Sequence, residues 1–263
     1  MSTTSPTPIL RAADLVVGYG GPAILEGIDL VLLPGAEPVG IVGESGAGKS
    51  TLVQALLGQL RIREGHVTFE GRTVGKLGWR DKKKFRAAVR TVAQNGLDAD
   101  PRWTVERAVS GALSDARKAG RASGRTVEQL LDDVALEPQF AGRTIHSLSG
   151  GEKQRLALAL ALATRPDAML LDEPLTAVDP AMRGEIVRRL ADVTRAEGTA
   201  VLLVSHDVEL VARLCPTVHV LAEGRFVASG PMSDVLAAGA ADDAHPAVRG
   251  LAEAAPLAAQ RFR

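Results

Sequence analysis

The hydrophobic positions of this 263-residue chain fall into short runs that are separated by stretches with helical spacing. Three of the runs are rich in Val, Ile or Leu and lie at 39–42, 168–171 and 200–204. Strands that are buried on both faces give apolar runs of this kind, as in a parallel sheet covered by helices. The pattern therefore predicts an α/β core.

A different pattern precedes the first of these runs. Between residues 9 and 33, short apolar pieces alternate with glycines, and a similar piece at 66–69 ends at Glu70-Gly71. Short strands joined by tight turns are typically encoded in this way. We expect a small antiparallel β layer beside the core.

The region between Gly96 and Arg165 has no strand pattern, and helical spacing covers 105–118, 127–134 and 151–163. This indicates a helical insertion in the core. The predicted organisation is a flexible N-terminus over 1–8, an α/β core with its β subdomain over 9–95 and 164–236, a helical subdomain over 96–163, and a tail over 237–263 in which a flexible turn at 237–244 precedes a last short helix.

The segment after the first apolar run reads G-E-S-G-A-G-K-S-T and precedes a helix-forming run at 52–57. Glycines let backbone N–H groups surround phosphate oxygens, and the helix N-terminus adds a positive dipole end. We expect Lys49 to reach the β and γ phosphates and the Ser50 hydroxyl to ligate Mg²⁺. The alternative is a chance glycine-rich turn, which the strand and helix flanks disfavour. The predicted phosphate loop consists of Gly43, Glu44, Ser45, Gly46, Ala47, Gly48, Lys49, Ser50 and Thr51.

Two acids directly follow the apolar run at 168–171. Asp172, at the carboxyl end of a buried parallel strand, is placed to hold Mg²⁺ directly or through water. Glu173 is placed to take a proton from a water that attacks the γ phosphate. The alternative is an ordinary Asp-Glu-Pro turn. His206 follows the run at 200–204 in the same way, which favours a contact with the γ phosphate.

The segment from Leu148 to Arg155 reads L-S-G-G-E-K-Q-R and opens a helix rich in Leu and Ala. Ser149 and Glu152 have the spacing of a capping box, so one interpretation is simply a well-capped helix. Two glycines at a helix N-terminus also expose backbone N–H groups, which can form a second anion site. A second copy of the chain could supply the anion for that site.

Composition narrows the class of protein. The chain has 31 basic and 31 acidic residues, which disfavours a nucleic-acid partner, and no segment approaches the ~18 apolar residues of a membrane span. The N-terminal residues lack a secretory pattern and Cys215 is the single cysteine, so we expect a cytoplasmic protein without internal disulfides.

The basic run at 80–90 could be a nucleic-acid patch. A solvated helix or loop face is favoured because aromatic residues for base stacking are sparse.

From about Leu10 to Pro231 the chain resembles the nucleotide-binding subunit of an ABC transporter. The features that carry the resemblance, in the family's order, are the phosphate loop, the L-S-G-G-E-K-Q-R signature, the L-L-D-E-P strand end at 170–174, the D-loop at 176–179 and the switch histidine His206. The resemblance implies a P-loop NTPase fold of the ABC type that binds and hydrolyses ATP with Mg²⁺.

The same resemblance assigns roles to single residues. It implies that Tyr19 stacks on adenine, although a packed strand aromatic is the alternative, and that Gln94 contacts Mg²⁺ and the attacking water. The implied catalytic residues are Glu173, His206, Gln94 and Lys49. The residues implied to contact the γ phosphate bound by a partner subunit are Ser149 and Gly151. Gly150 and Asp179 are also implied to bind nucleotide.

Partners are implied as well. Two such subunits would face each other head to tail, each ATP lying between one chain's phosphate loop and the other's signature. Separate membrane subunits would receive the motion through the surface at 94–105 and 142–147. The protein would work at the cytoplasmic face of the cell membrane.

A narrower resemblance is to importers of the peptide and nickel type, which implies a solute-binding protein as a further partner. The residues that carry it are His245-Pro246, Arg249, Leu251 and Pro256 and the stretch at 100–105. Asn95 and Leu175 depart from that group's pattern, and Cys215 alone cannot hold an iron–sulfur site. The alternatives are a soluble ABC ATPase that acts on nucleic acid or ribosomes, and an exporter subunit.

Overall fold

The computed structural model describes residues 7–93, 97–121 and 124–260. These residues form ten β-strands and nine α-helices. The strands are β1 (Leu10–Val17), β2 (Leu25–Leu32), β3 (Val39–Val42), β4 (Ile62–Phe69), β5 (Arg72–Thr73), β6 (Val89–Val92), β7 (Ala168–Asp172), β8 (Ala200–Ser205), β9 (Thr217–Ala222) and β10 (Arg225–Pro231). The helices are α1 (Lys49–Leu56), α2 (Trp79–Ala88), α3 (Val105–Lys118), α4 (Val127–Asp133), α5 (Gly150–Leu162), α6 (Pro180–Glu197), α7 (Val208–Leu214), α8 (Met232–Gly239) and α9 (Pro246–Gln260).

The predicted α/β core is confirmed. Its six-stranded sheet has the order β10-β9-β3-β8-β7-β6, and all neighbours pair in parallel except β10 with β9. The three apolar runs of the sequence are the adjacent strands β3, β8 and β7. Because these strands are parallel, the phosphate loop, the two acids and His206 all lie at their carboxyl ends, at the same edge of the sheet.

The side chains of the central strands bury both faces of this sheet. In β8, Leu202 belongs to the hydrophobic cluster that contains α1 and the β layer, whereas Leu203 belongs to the cluster that contains the helical region. The same alternation occurs in β7 between Leu170 and Leu171. A continuous apolar run is needed for this arrangement because both faces of each strand exclude water.

The predicted antiparallel layer is also confirmed. It has the order β2-β1-β4-β5, and its strands pair in antiparallel. Leu15 and Ile28 from this layer are fully buried together with Leu52 and Leu56 of α1. The layer therefore supports the helix that follows the phosphate loop.

The helical spacing between residues 97 and 163 is confirmed by α3, α4 and α5. The described residues of this region contain no strand, only an isolated bridge between Thr104 and Thr144. The capping box at Ser149 and Glu152 forms as predicted. No helix in the described part of the chain is long and apolar enough to cross a membrane.

The expectation for the tail was wrong in part. Helix α8 continues to Gly239, inside the expected flexible turn, and α9 is 15 residues long rather than short. Alanine has the highest helix propensity, and Val248 and Leu251 bury one side of α9 against the core. Gly239 lets the two helices meet closely, since a Cβ there would lie 2.6 Å from that of Ala252.

Four strands, β5, β6, β9 and β10, were not recognised in the sequence. β5 has only two residues, too few to give a pattern. β6 has only four residues and carries Arg90 at the end of the basic run, so it shows no apolar run. β9 and β10 form the antiparallel edge of the main sheet, where polar residues such as His219 interrupt the apolar pattern.

Candidate active site

The phosphate loop is a tight turn between β3 and α1. Gly46 and Gly48 have φ angles of 86° and 105°, a region that favours glycine. A Cβ on Gly43 would lie 2.3 Å from the carbonyl oxygen of Leu221, so the loop needs a residue without a side chain there. The Lys49 ammonium donates to the carbonyl oxygens of Gly43 at 2.7 Å and Glu44 at 2.8 Å. The lysine is therefore folded back over its own loop.

A cleft of about 610 Å³ opens beside this loop. It is lined by Ile24, Ser45, Gly46, Gly48, Lys49, Ser50, Thr51, Asp172, Glu173 and His206. The structure thus brings the predicted lysine, serine, both acids and the histidine to one place. Burial lowers the pKa of Lys49, and the carboxylates of Glu173 and Asp172 oppose that shift.

Asp172 is the last residue of β7 and is buried. Burial raises the pKa of its carboxyl, and a hydrogen bond from the Ser50 hydroxyl opposes this rise. Its Oδ1 atom is buried without a hydrogen-bond partner among the described residues. An unpartnered carboxylate oxygen beside a serine hydroxyl is a hard oxygen donor set of the kind that Mg²⁺ prefers. The two residues fit the predicted Mg²⁺ site.

Glu173 is held by several hydrogen bonds. Its φ of 53° is unusual for a residue with a side chain, and its N–H donates to the Val204 carbonyl of the neighbouring strand at 2.9 Å. One carboxylate oxygen accepts the Ser205 hydroxyl at 2.8 Å, and the other accepts the His206 backbone N–H at 2.9 Å. The Nδ1 atom of His206 lies 2.7 Å from that second oxygen. The strand end is thereby bent so that the carboxylate faces the cleft.

Ser205 was missed in the sequence. It ends β8 and is 1% exposed, and its hydroxyl oxygen also accepts the Asp207 backbone N–H at 3.1 Å. The signal that could have found it is register: Asp172 pairs with Val204, so the next residues of the two strands are neighbours. The position of Ser205 within its own strand does not reveal its contact with Glu173.

A salt bridge connects this cluster to the D-loop. Asp207 accepts a bond from the Arg183 guanidinium at 2.7 Å, and Arg183 also donates to the Val178 carbonyl at 3.0 Å. Asp179 caps α6 by accepting the Ala181 N–H at 2.8 Å. The Arg183 side chain of α6 therefore links the D-loop to Asp207.

The signature segment lies outside the cleft beside the phosphate loop. Among the described residues that line the cleft, none belongs to the signature or the D-loop. Ser149 and Gly150 are exposed, and Ser149 exchanges hydrogen bonds with Glu152 at 3.3 and 2.7 Å. Gly151 packs against the D-loop, where a Cβ would lie 2.7 Å from the Ala177 carbonyl oxygen. The structure does not bring Ser149, Gly150, Gly151 and Asp179 to the chain's own phosphate loop.

The remaining predicted residues lie around the cleft. Tyr19 is 61% exposed and donates its hydroxyl to the Gln54 side chain at 2.9 Å, so it is not a packed strand aromatic. Stacking on adenine stays a prediction. Glu44 and Ala47 line a neighbouring cavity of about 420 Å³. Gln94 lies outside the described residues, and its contacts with Mg²⁺ and water also stay predictions.

A parallel sheet with a phosphate loop and two acids at its carboxyl edge defines a P-loop nucleotide-binding protein. Residues 25–176, more than half of the chain, match the family model described as ABC transporter. The chain belongs to the ABC transporter family, as the motifs predicted.

The relatives and solved structures agree with this assignment. The chain is 38% identical over 248 residues to the nickel import ATP-binding protein NikE of Rhodospirillum rubrum, covering 93% of this chain and 87% of that protein. It is 36% identical over 236 residues to the glutathione import ATP-binding protein GsiA of Salmonella paratyphi A, covering 89% of this chain but 37% of that longer protein. A solved dimeric structure of a bacterial ABC transporter cassette superposes with a TM-score of 0.73 at 26% identity, covering 85% of this chain and 98% of that one.

Proposed function

We propose that the chain binds ATP with Mg²⁺ and hydrolyses it as one of two ATP-binding subunits, and so drives transport through separate membrane subunits at the cytoplasmic face of the membrane. The observation that carries this proposal is the convergence of Lys49, Asp172 and Glu173 in one cleft. A phosphate-binding lysine, a metal-binding carboxylate and a proton acceptor are the parts that phosphoryl transfer to water requires.

Lys49 and the loop N–H groups bind the phosphates. The Lys49 ammonium donates to two loop carbonyls, and it can exchange these bonds for phosphate oxygens. Such exchange is favourable because a charged acceptor makes a stronger hydrogen bond than a neutral one. The lysine then bonds to the phosphates of the nucleotide instead of to the carbonyls of its own loop.

Asp172 and Ser50 hold Mg²⁺ in this proposal, with Gln94 as a predicted third residue. When bound, Mg²⁺ neutralises charge on the β and γ phosphates. The buried, unpartnered Oδ1 of Asp172 supports this role because a carboxylate oxygen removed from water is costly to leave without a partner.

Glu173 accepts the proton of the attacking water. The Ser205 hydroxyl and the His206 N–H donate to its two oxygens and orient the carboxylate. The His206 side chain is 66% exposed, so it can turn toward a γ phosphate that enters the cleft. In the structure its ring instead contacts Glu173.

The second half of the site comes from another subunit. The signature residues lie outside the cleft of their own chain, and an exposed helix N-terminus suits an anionic ligand that a partner brings. The partner is a second copy of this chain or a related ATP-binding subunit. The similarity to a cassette solved as a dimer supports this arrangement.

Membrane subunits dock at the helical region in this proposal. A groove of about 380 Å³ runs between β6, α3 and α5 and includes Leu97, Trp103 and Leu160. It overlaps the surface predicted from the sequence, and its apolar side chains can receive a helix or loop of a membrane subunit. Relatives named for nickel and glutathione import favour an importer of a peptide, nickel or a related small solute, served by a solute-binding protein.

The substitution Glu173→Gln tests the proposed hydrolysis. It should leave ATP binding intact and lower turnover by on the order of 10²–10⁴, because the proton acceptor is lost. Nucleotide binding and phosphate release are measured on the same preparation, with Glu64→Gln, an exposed residue of β4, as the matched control. Unchanged hydrolysis in Glu173→Gln would remove this residue from the mechanism.

A further inference from the structure

Helix α2 has an exposed face that the nucleotide site does not explain. Trp79 is 78% exposed, the most exposed large hydrophobic residue in the described part of the chain. Lys82, Lys83 and Arg86 follow it at the i+3, i+4 and i+7 positions, which places all four on one side of the helix. We call these four residues the α2 face. Phe85 is buried, on the side of α2 that packs against the protein.

The charge of the α2 face is not neutralised locally. The nearby carboxylates are already engaged, since Asp81 accepts Arg72 at 2.8 Å and Glu70 binds Lys84. In the described residues no carboxylate forms an ion pair with the three cations of the face. Because the whole chain has equal numbers of basic and acidic residues, this face is a local concentration of positive charge.

We propose that the α2 face binds the anionic headgroups of a lipid bilayer. An indole ring prefers the boundary between headgroups and hydrocarbon, and a lysine or arginine near an anionic leaflet is attracted to it. A helix that carries Trp beside several cations combines both interactions. Binding of the α2 face to a bilayer explains why the Trp79 side chain is exposed to solvent in the isolated chain.

The position of α2 supports this partner. The helix leads directly into β6, and Arg90 and Thr91 of β6 line the groove proposed for the membrane subunits. The α2 face is thus a neighbour of that groove along the chain. The inference rests on the proposed function, because it requires the chain to work beside a membrane.

Nucleic acid is the competing polyanion, and the observations favour lipid over it. Single-stranded nucleic acid is bound by several aromatic side chains that stack on successive bases. Trp79 is the one aromatic residue of the α2 face, and Phe85 of the same helix is buried. A single indole among cations matches a membrane interface better than a row of bases.

Binding of the purified 263-residue chain to vesicles tests the proposal. Vesicles of phosphatidylglycerol with phosphatidylcholine are compared with vesicles of phosphatidylcholine alone, by co-sedimentation at low salt. The double variant Lys82→Gln and Lys83→Gln should lower affinity for the anionic vesicles by on the order of tenfold to thirtyfold, because two attracted charges are lost. The control is Arg188→Gln with Arg195→Gln, which removes two exposed charges from α6 and should leave the affinity unchanged.

The tryptophan gives a second readout. With Trp103→Phe as the background, the emission of Trp79 should shift to shorter wavelength when anionic vesicles are added, and Trp79→Ala should weaken binding. Equal binding to neutral and anionic vesicles, or an equal loss in the α6 control, would overturn the proposal. So would duplex DNA or RNA that binds more tightly than anionic vesicles at the same salt and is lost with the same lysines.

ATP binding and hydrolysis are measured on the same variants in solution. The Lys82 and Lys83 variant should keep both, since neither residue lines the cleft. Vesicle binding that fails while ATP is hydrolysed contradicts only the lipid proposal. A wild-type chain that binds vesicles but neither binds nor hydrolyses ATP contradicts the proposed function.

Discussion

The phosphate loop and the signature segment each contain a helix N-terminus, yet the two N-termini are built differently. Helix α1 begins with no side-chain cap, and buried acids and a cleft surround its first turn. Helix α5 begins with the complete capping box of Ser149 and Glu152, and Ser149 and Gly150 at its start are exposed. The first end is prepared for a ligand held inside the chain. The second is capped by its own side chains, and its exposed residues Ser149 and Gly150 are accessible to a second molecule.

The D-loop connects these two regions within one chain. On the signature side, Gln154 of α5 donates to the Thr176 hydroxyl and accepts the Ala177 N–H, each at 2.9 Å. On the catalytic side, Arg183 joins Val178 to Asp207, whose N–H donates to Ser205. The contacts therefore continue from the signature helix to the hydroxyl that holds Glu173, and three substitutions test them in order of expected effect.

Gly151→Ala tests the contact between the signature and the D-loop. A Cβ there would lie 2.7 Å from the Ala177 carbonyl oxygen, so the loop or the helix must move. A shift of about 1 Å at a catalytic arrangement can cost on the order of 10²-fold in rate, and we expect a loss of hydrolysis of this size with ATP binding retained. Gly250→Ala in α9 is the matched control, since a Cβ there meets nothing within 4 Å. Full activity of Gly151→Ala would show that the contact is not used.

Ser205→Ala tests the positioning of Glu173. The variant should lower kcat about tenfold with little change in KM, because a hydrogen bond to a charged group contributes on the order of 1.5–3 kcal/mol and His206 still donates. Ser205→Thr keeps the hydroxyl and should recover most of the rate. A loss that Thr does not recover, or one seen equally in KM, would point to a packing defect instead.

Arg183→Gln tests the connection from the D-loop to Asp207. The ion pair is partly exposed, so we expect a decrease in hydrolysis of about twofold to fivefold, corresponding to up to about 1 kcal/mol. Arg188→Gln on the same helix removes two exposed ion pairs, with Glu185 and Asp192, that do not touch the D-loop, and its rate should stay unchanged. Equal hydrolysis rates in the two variants would show that the contact between Arg183 and Asp207 does not affect catalysis.

The sequence was sufficient to predict those elements whose structure depends on a local pattern of residues. The phosphate loop, the parallel strands and the capping box of α5 each depend on residues close together in the chain. Ser205 could not be predicted because its contact with Glu173 depends on how two strands align. The length of α9 depends on burial of Val248 and Leu251 against the core, which an alanine-rich pattern alone does not show. The roles of the site residues stay predictions.

Mixing two inactive variants tests directly whether the site is divided between two chains. Lys49→Ala removes the phosphate-binding lysine and leaves the signature intact, whereas Ser149→Arg blocks the signature and leaves the phosphate loop intact. Hydrolysis is measured for each variant and for their equimolar mixture, under conditions where the unmodified chain alone hydrolyses ATP. We expect each variant alone to be inactive and the mixture to recover hydrolysis, because one intact loop then faces one intact signature. A mixture as inactive as its components, or a Ser149→Arg chain that hydrolyses ATP normally alone, would contradict it.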